Sequence, residues 1–221
     1  KKQNLMQQLE IPKEFDHELV KQILSTTALE PYPNSEIEIR LKSFTQKKGV
    51  TQSFFVQTIA FLNTFTQWEQ IKEVASIDYY YGDNLRTTHV VHGEITERKT
   101  IQKKRVAARD IHVHGSTNIS TVRISHTIEE PASAQQLVDL SLVRKKQRTS
   151  YIYKGWSYDL TKVWEGTEAA DVKSRYLTAP PDTYEIEVEK IDSEFQSLDY
   201  LIVSLLLKAI SLLRPSTIRL S

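Results

Sequence analysis

The chain has 221 residues, 29 Lys and Arg against 28 Asp and Glu, a formal net charge of +1, and no cysteine. That length suits one domain with a real core, and the balanced charge excludes whole-chain attraction to an anionic partner, so any such signal lies in how the charges are distributed. The missing thiols exclude disulfides, zinc ribbons, iron–sulfur sites and cysteine nucleophiles, and fit an intracellular setting.

Taken in chain order, PKEFDHELVKQILSTT (12–27) places Phe15, Leu19, Ile23 and Leu24 at helical spacing, and Pro31 and Pro33 end that pattern. SEIEIRLKSF (35–44) alternates with period two and reads as a strand. A second helix is predicted from Gln52 to about Thr66 with Thr51 as its N-cap, and its Phe54, Phe55, Ile59, Phe61 and Leu62 read as core. Alternation then predicts strands over 68–82, 84–91, 95–113, 118–131, 141–155, 157–166 and 183–192, with glycines near the breaks. GTEAADVKSRYLTAPPDT has no clear period and a Pro-Pro pair, and reads as a mobile loop. A last helix is expected from Ser193 to Leu213, ended by Pro215. Its apolar stretch is too short and too polar to span a membrane, and KKQNLMQQLE has no apolar run to make a secretory signal. The expectation is a mainly β (α+β) protein: an antiparallel eight-stranded β-barrel with a few packing helices, one domain over residues 1–221, cut from a longer polypeptide.

Charges sort strand by strand. Glu36 and Glu38 lie on one face of an early strand, and Glu185, Glu187 and Glu189 on one face of the last. Lys103 and Arg105 are two apart, Arg144, Lys146 and Arg148 form a spaced triplet, and Arg40 continues the parity of Glu36 and Glu38. Exposed antiparallel sheets alternate apolar and polar too, but they tend to pair opposite charges across neighbouring strands. Signs grouped by strand suit an inward-facing charged tunnel: carboxylates for a hard divalent cation, lysines and arginines for phosphate oxygens.

EIEIR, YEIEVE and, in order between them, KKRVAARDIHV, VRISHTIEEP, RKKQRTSY and YDLTKV resemble the triphosphate tunnel metalloenzymes. Within them the chain is similar to the metal-dependent RNA triphosphatases of fungal, protozoal and large-DNA-virus (mimivirus-like) mRNA capping enzymes, from about Glu36 to Glu189. The resemblance implies that Glu36, Glu38 and Glu189 ligate Mg²⁺ or Mn²⁺, and that Glu187 and Glu185 hold or orient water. It implies further that Arg86, Lys103, Arg123, Lys146 and Arg148 grip the triphosphate with Arg144, Arg105 and Arg40 nearby, and that Asp159, Thr161 and Glu129 complete the hydrogen-bond network. Lys103 and Arg105 are expected inside and Lys104 outside. The implied reaction is removal of the γ-phosphate from the 5′-triphosphate end of nascent RNA by in-line water attack, with accompanying NTP hydrolysis. No Lys-x-Asp-Gly nucleophile is present, so guanylyltransferase and methyltransferase domains are expected elsewhere in the parent chain. The location implied is a virion or cytoplasmic virus factory, or a nucleus if the source is cellular.

Two other readings stay open: hydrolysis of another triphosphate (a nucleotide, thiamine triphosphate or polyphosphate), or a non-catalytic RNA-binding barrel. His89 and His92 point to opposite faces, and only His112 and His114 share one, so a histidine metal site is not expected. His126 lies off the parity of Arg123 and Glu129, outside the tunnel. The DYYYG run reads as packing.

Overall fold

The computed structural model describes residues 12–26, 34–92, 95–133, 139–191 and 197–213. In chain order these form α1 (His17–Thr26), β1 (Ser35–Ser43), α2 (Gln52–Leu62), β2 (Gln70–Tyr80), β3 (Leu85–His92), β4 (Ile95–His112), β5 (Ile119–Pro131), β6 (Leu142–Tyr153), β7 (Trp156–Gly166), α3 (Ala169–Thr178), β8 (Thr183–Lys190) and α4 (Leu198–Leu213). The eight strands close into one barrel in the order β1-β5-β4-β3-β2-β6-β7-β8, with every pairing antiparallel. Closure leaves no free sheet edge.

The hydrophobic core lies outside the barrel. Ile37, Ile39 and Leu41 of β1 and Ile186 and Val188 of β8 point outward and are buried against Phe54, Phe55 and Leu62 of α2 and Leu201, Leu205, Leu206 and Ala209 of α4. Helices therefore cover the apolar parity of these strands, and the polar parity is left facing the closed interior. Thr51 caps α2, its hydroxyl accepting from Phe54 N–H, as its position before the apolar run requires. At the β6–β7 turn, Lys154 (φ 48°) and Gly155 (φ 72°) both have positive φ, the signature of a two-residue type I′ hairpin.

The stretch read as a mobile loop contains α3. Val172 is fully buried with Ile77, Val143 and Trp164, and Tyr176, one turn on, packs edge-on against Trp164. Arg175 ties the helix down, donating to Asp171, Asp182 and the Glu165 carbonyl. Two apolar anchors in ten residues leave too faint a period to read from sequence alone. Ser193, expected to open the last helix, lies outside the described residues.

Gly49 (φ +68°) fastens the β1–α2 connection to β8: Val50 N–H donates to the Tyr184 carbonyl at 2.8 Å, and a Cβ on Gly49 would stand 2.1 Å from that same oxygen. Gly49→Ala is expected to cost at least about 2 kcal/mol, from left-handed backbone plus displacement of a main-chain oxygen. Denaturant unfolding measures it, and an unchanged midpoint would contradict this account.

Candidate active site

Register carries one parity of each strand into the barrel. Glu38 stands opposite Glu189 and Arg40 opposite Glu187 across β1 and β8. Asp159 faces Glu187 and Thr161 faces Glu185 across β7 and β8. Arg148 lies opposite Thr161, and Lys103 opposite Glu129. A cavity of about 370 Å³ opens among Asp78, Arg86, Lys146, Arg148, Asp159 and Glu189.

Charged groups inside are held by partners from neighbouring and next-neighbouring strands. Arg148 donates through Nε to Thr161 (3.0 Å), through Nη1 to Asp159 (2.7 Å) and through Nη2 to Glu187 (3.0 Å). Arg40 donates to the other oxygen of Glu187. Arg144 reaches Glu185 at 2.7 Å and Lys146 reaches Asp78 at 2.5 Å. Lys103 bridges Glu36 (2.9 Å) and Glu129 (3.2 Å), and Arg86 also donates to Glu129 at 2.9 Å. These buried charges of both signs survive because each of them has a hydrogen-bonded counter-ion, which Glu38 and Glu189 lack among the described residues.

The acids fall into two electrostatic groups. Burial pulls the Glu187 carboxyl up, but Arg40, Arg148 and Lys146 outweigh it and hold the group down at about 2. Asp78 and Glu129 are likewise depressed against burial, the first by Lys146 and Arg86, the second by Arg86 and Lys103. Glu38 and Glu189 go the other way. Burial, then the Glu187 charge, pushes Glu38 up to about 7, and burial, then Asp159, pushes Glu189 up to about 8. Glu187 is thus held as an anion between Arg40 and Arg148.

Glu38 and Glu189 are the pair short of positive charge. Arg40, 3.7 Å away, offers Glu38 a weak contact already shared with Glu187. Facing carboxyls in that state fit a small divalent cation. Among the described residues no three carboxylate or imidazole side chains converge as a complete cation cage. Mg²⁺ sites commonly use one or two carboxylates and share the ion with water and substrate phosphate. The donor side fits phosphate: the Nε atoms of Arg40 and Arg86 are buried and make no hydrogen bond among the described residues, and that of Arg144 has only a long ion-pair contact to Glu165 at 3.4 Å.

Glu36 meets the network through Lys103. Lys104 points away and pairs with Glu130 at 2.7 Å. Arg105 is exposed beside a bulge at Arg105/Ala107, opposite Thr127. Arg123 is exposed too and engaged by Asp110 at 2.6 and 2.9 Å; register nevertheless puts Arg123 opposite Arg40, and Arg105 and Thr127 in line with Glu36, on the parity of the tunnel residues. His126 is buried on the outward parity, and His112 and His114 are exposed. Asp78 is the residue sequence reasoning missed. It is 2% exposed and holds Lys146 and the Thr88 hydroxyl. Its signal was slight: one acid sharing parity with Ser76 and Tyr80, at the head of an aromatic run.

A closed antiparallel barrel with an ionic interior and an outside core is the architecture of a tunnel-type phosphate-processing enzyme. The family model of the mRNA triphosphatases, described as the mRNA capping enzyme beta chain, matches residues 47–198, and the chain belongs to that family. Three solved structures share the fold. The Pct1 RNA triphosphatase of S. pombe is 19% identical with a TM-score of 0.66, covering 97% of each chain. The mimivirus capping enzyme triphosphatase is 15% identical with a TM-score of 0.63, covering 92% of this chain and 99% of its own. The RNA triphosphatase domain of a trifunctional mimivirus mRNA capping enzyme is 15% identical with a TM-score of 0.57, covering 90% and 95%. No curated protein matches by sequence. Family membership assigns the chain to the first step of mRNA capping.

Proposed function

We propose that the tunnel takes the 5′-triphosphate of RNA and transfers its γ-phosphoryl group to water, leaving a diphosphate end, with NTPs as secondary substrates. What carries this reading is the cationic wall of Arg86, Lys146 and Arg148 around the cavity, in which the buried Nε of Arg86, like that of Arg40 in the same network, makes no hydrogen bond among the described residues. Buried donors of that kind gain most from anionic oxygens that bring several acceptor sites each. Arg148, fixed on three sides, and Lys146 neutralise charge developing on the transferring group. Glu187 and Asp159 keep Arg148 from swinging out.

The residues proposed for a divalent cation, Mg²⁺ or Mn²⁺, are Glu38 and Glu189, with Glu36 beside them. Bound there, the ion would polarise a phosphoryl oxygen and offset its negative charge. Thr161 and Asp159 hold Arg148 at the tunnel wall, and Glu185 does the same for Arg144.

The product is a diphosphate-ended RNA, so a guanylyl transfer must consume it and a methylation follow. The partners proposed are domains of those activities, in the same polypeptide or bound to it, wherever in the cell or virion transcripts are capped. Among the described residues no helix is long and apolar enough to cross a membrane.

Rates of orthophosphate release from triphosphate-ended RNA, ATP, thiamine triphosphate and tripolyphosphate test the substrate. RNA is expected to show the highest kcat/KM. A preference for tripolyphosphate or thiamine triphosphate would overturn the RNA assignment and leave the tunnel chemistry standing.

A further inference from the structure

Outside the barrel, where the β6–β7 turn meets the end of β8 and α4, a second cavity of about 250 Å³ is lined by Lys154, Lys190, Lys208, Trp156, Tyr200 and Ser204. The ammonium of Lys208 lies 4.7 Å from the Trp156 ring centre and that of Lys190 lies 5.5 Å from it. Lys208 is the one basic residue of α4, and nothing in the tunnel chemistry uses it. Burial first, then the charges of Lys190 and Lys154, depress its pKa. Two ammonium groups thus flank one indole, and that of Lys154, 5.0 Å from the neighbouring Tyr153 ring centre, shares their pocket, at a cost in mutual repulsion that a polyanion would relieve.

The position of this pocket says which polyanion. Ser157 and Glu189 line the tunnel, whereas their chain neighbours Trp156 and Lys190 line the outer pocket. Ile191 lies on the tunnel side beyond Lys190. The two cavities therefore meet across the same barrel rim, one strand's thickness apart. Lys72 lines the tunnel at that end. Tyr200, 42% exposed on the rim of the outer pocket, offers a ring face that a free phosphate does not need but a nucleobase does.

We propose that Lys154, Lys190 and Lys208 bind phosphodiesters of single-stranded RNA downstream of the 5′ end, with Tyr200 stacking a base, as the strand leaves the tunnel over the β6–β7 turn. The proposal rests on RNA being the tunnel's substrate. It adds the exit path and the reason a long RNA is preferred to a nucleotide. Ammonium groups contact the backbone without reading sequence, so the site is indifferent to base identity.

The test uses the whole chain carrying Lys154→Asn, Lys190→Gln and Lys208→Gln together. Asparagine is chosen at 154 because that residue has φ 48° and asparagine tolerates the left-handed region. Binding of a 5′-hydroxyl RNA of about 15 nucleotides, which offers the tunnel no triphosphate, is followed by fluorescence anisotropy across a salt series. The slope of log affinity against log salt is expected to flatten by about 2, since each neutralised phosphate contributes roughly 0.7 for a single strand. KM for triphosphate-ended RNA is expected to rise roughly tenfold, with ATP hydrolysis unchanged. Lys154→Asn alone, at an exposed turn, is expected to flatten the slope by about 0.7, which keeps the test decisive if the triple variant fails to fold. Tyr200→Ala is expected to weaken binding roughly tenfold with the salt slope intact. Unaltered RNA affinity and slope in the folded variants would overturn the proposal, as would a capture of acidic peptide in place of RNA. The 5′-hydroxyl arm reads the pocket even if no phosphate is released from any RNA, so failure of the tunnel reading and failure of the pocket reading give different results.

Discussion

Arg148→Ala is expected to lower γ-phosphate release about 1,000-fold and to destabilise the protein by about 3 kcal/mol, the lower end for a broken buried ion pair because the side chain is 31% exposed to the tunnel. The activity loss comes from removing a donor aimed at developing phosphoryl charge. The stability loss comes from leaving Glu187 and Asp159 buried with fewer counter-ions. A pH signature accompanies both. Glu187 is depressed to about 2, so its stabilising contribution is present above the ordinary carboxylate value of about 4.3 and is lost as pH falls towards 2. Without Arg148 its pKa rises, and the acid limb of the stability curve moves to higher pH. Arg148→Lys keeps the charge but cannot serve Thr161, Asp159 and Glu187 at once. It is expected to recover stability better than activity. Thermal melts from pH 2 to 7 beside phosphate-release rates check all of this, and a variant of full activity would refute the assignment.

Glu189→Gln is expected to move activity and stability in opposite directions. The folded protein holds Glu189 near 8 and Glu38 near 7, above the unfolded value of about 4.3. Between about 4.3 and 8 the unfolded chain ionises and the folded one resists, so in metal-free protein these two carboxyls erode stability as pH rises through that window. Glutamine at 189 removes its share of that erosion, and the metal-free variant is expected to melt a few degrees higher at pH 8. Mg²⁺ or Mn²⁺ should raise the melting temperature of the parent protein and much less that of the variant. Activity of the variant should fall at least about 100-fold. A variant that melts lower than the parent at pH 8, or gains equally from the cation, would sink the cation site.

How far these residues could be read in advance depended on whether their signal was local. EIEIR and YEIEVE show their alternation within a few residues, and Thr51 sits just before an apolar run, so strands, cap and helix were legible. The pairing of Lys103 with Glu36, or of Arg144 with Glu185, depends on barrel order and register, which neighbours in sequence do not encode. Asp78 was hidden because the acid that orients Lys146 needs no partner on its own strand. The bulge at Arg105/Ala107 shows why parity counting weakens along an 18-residue strand: it leaves Val106 43% exposed and shifts the register of the residues beyond it. Helix α3 was missed because Val172 and Tyr176 gain their meaning from Trp164 on another strand.

The central claim is that the tunnel removes one phosphoryl group from the RNA end and stops. Mass spectrometry of a 5′-triphosphate oligoribonucleotide incubated with the protein, with and without Mg²⁺ or Mn²⁺, tests it most directly. The account predicts a cation-dependent loss of a single phosphoryl group, with orthophosphate released and a diphosphate end persisting. An unchanged oligonucleotide, or release of pyrophosphate to leave a monophosphate end, would contradict it.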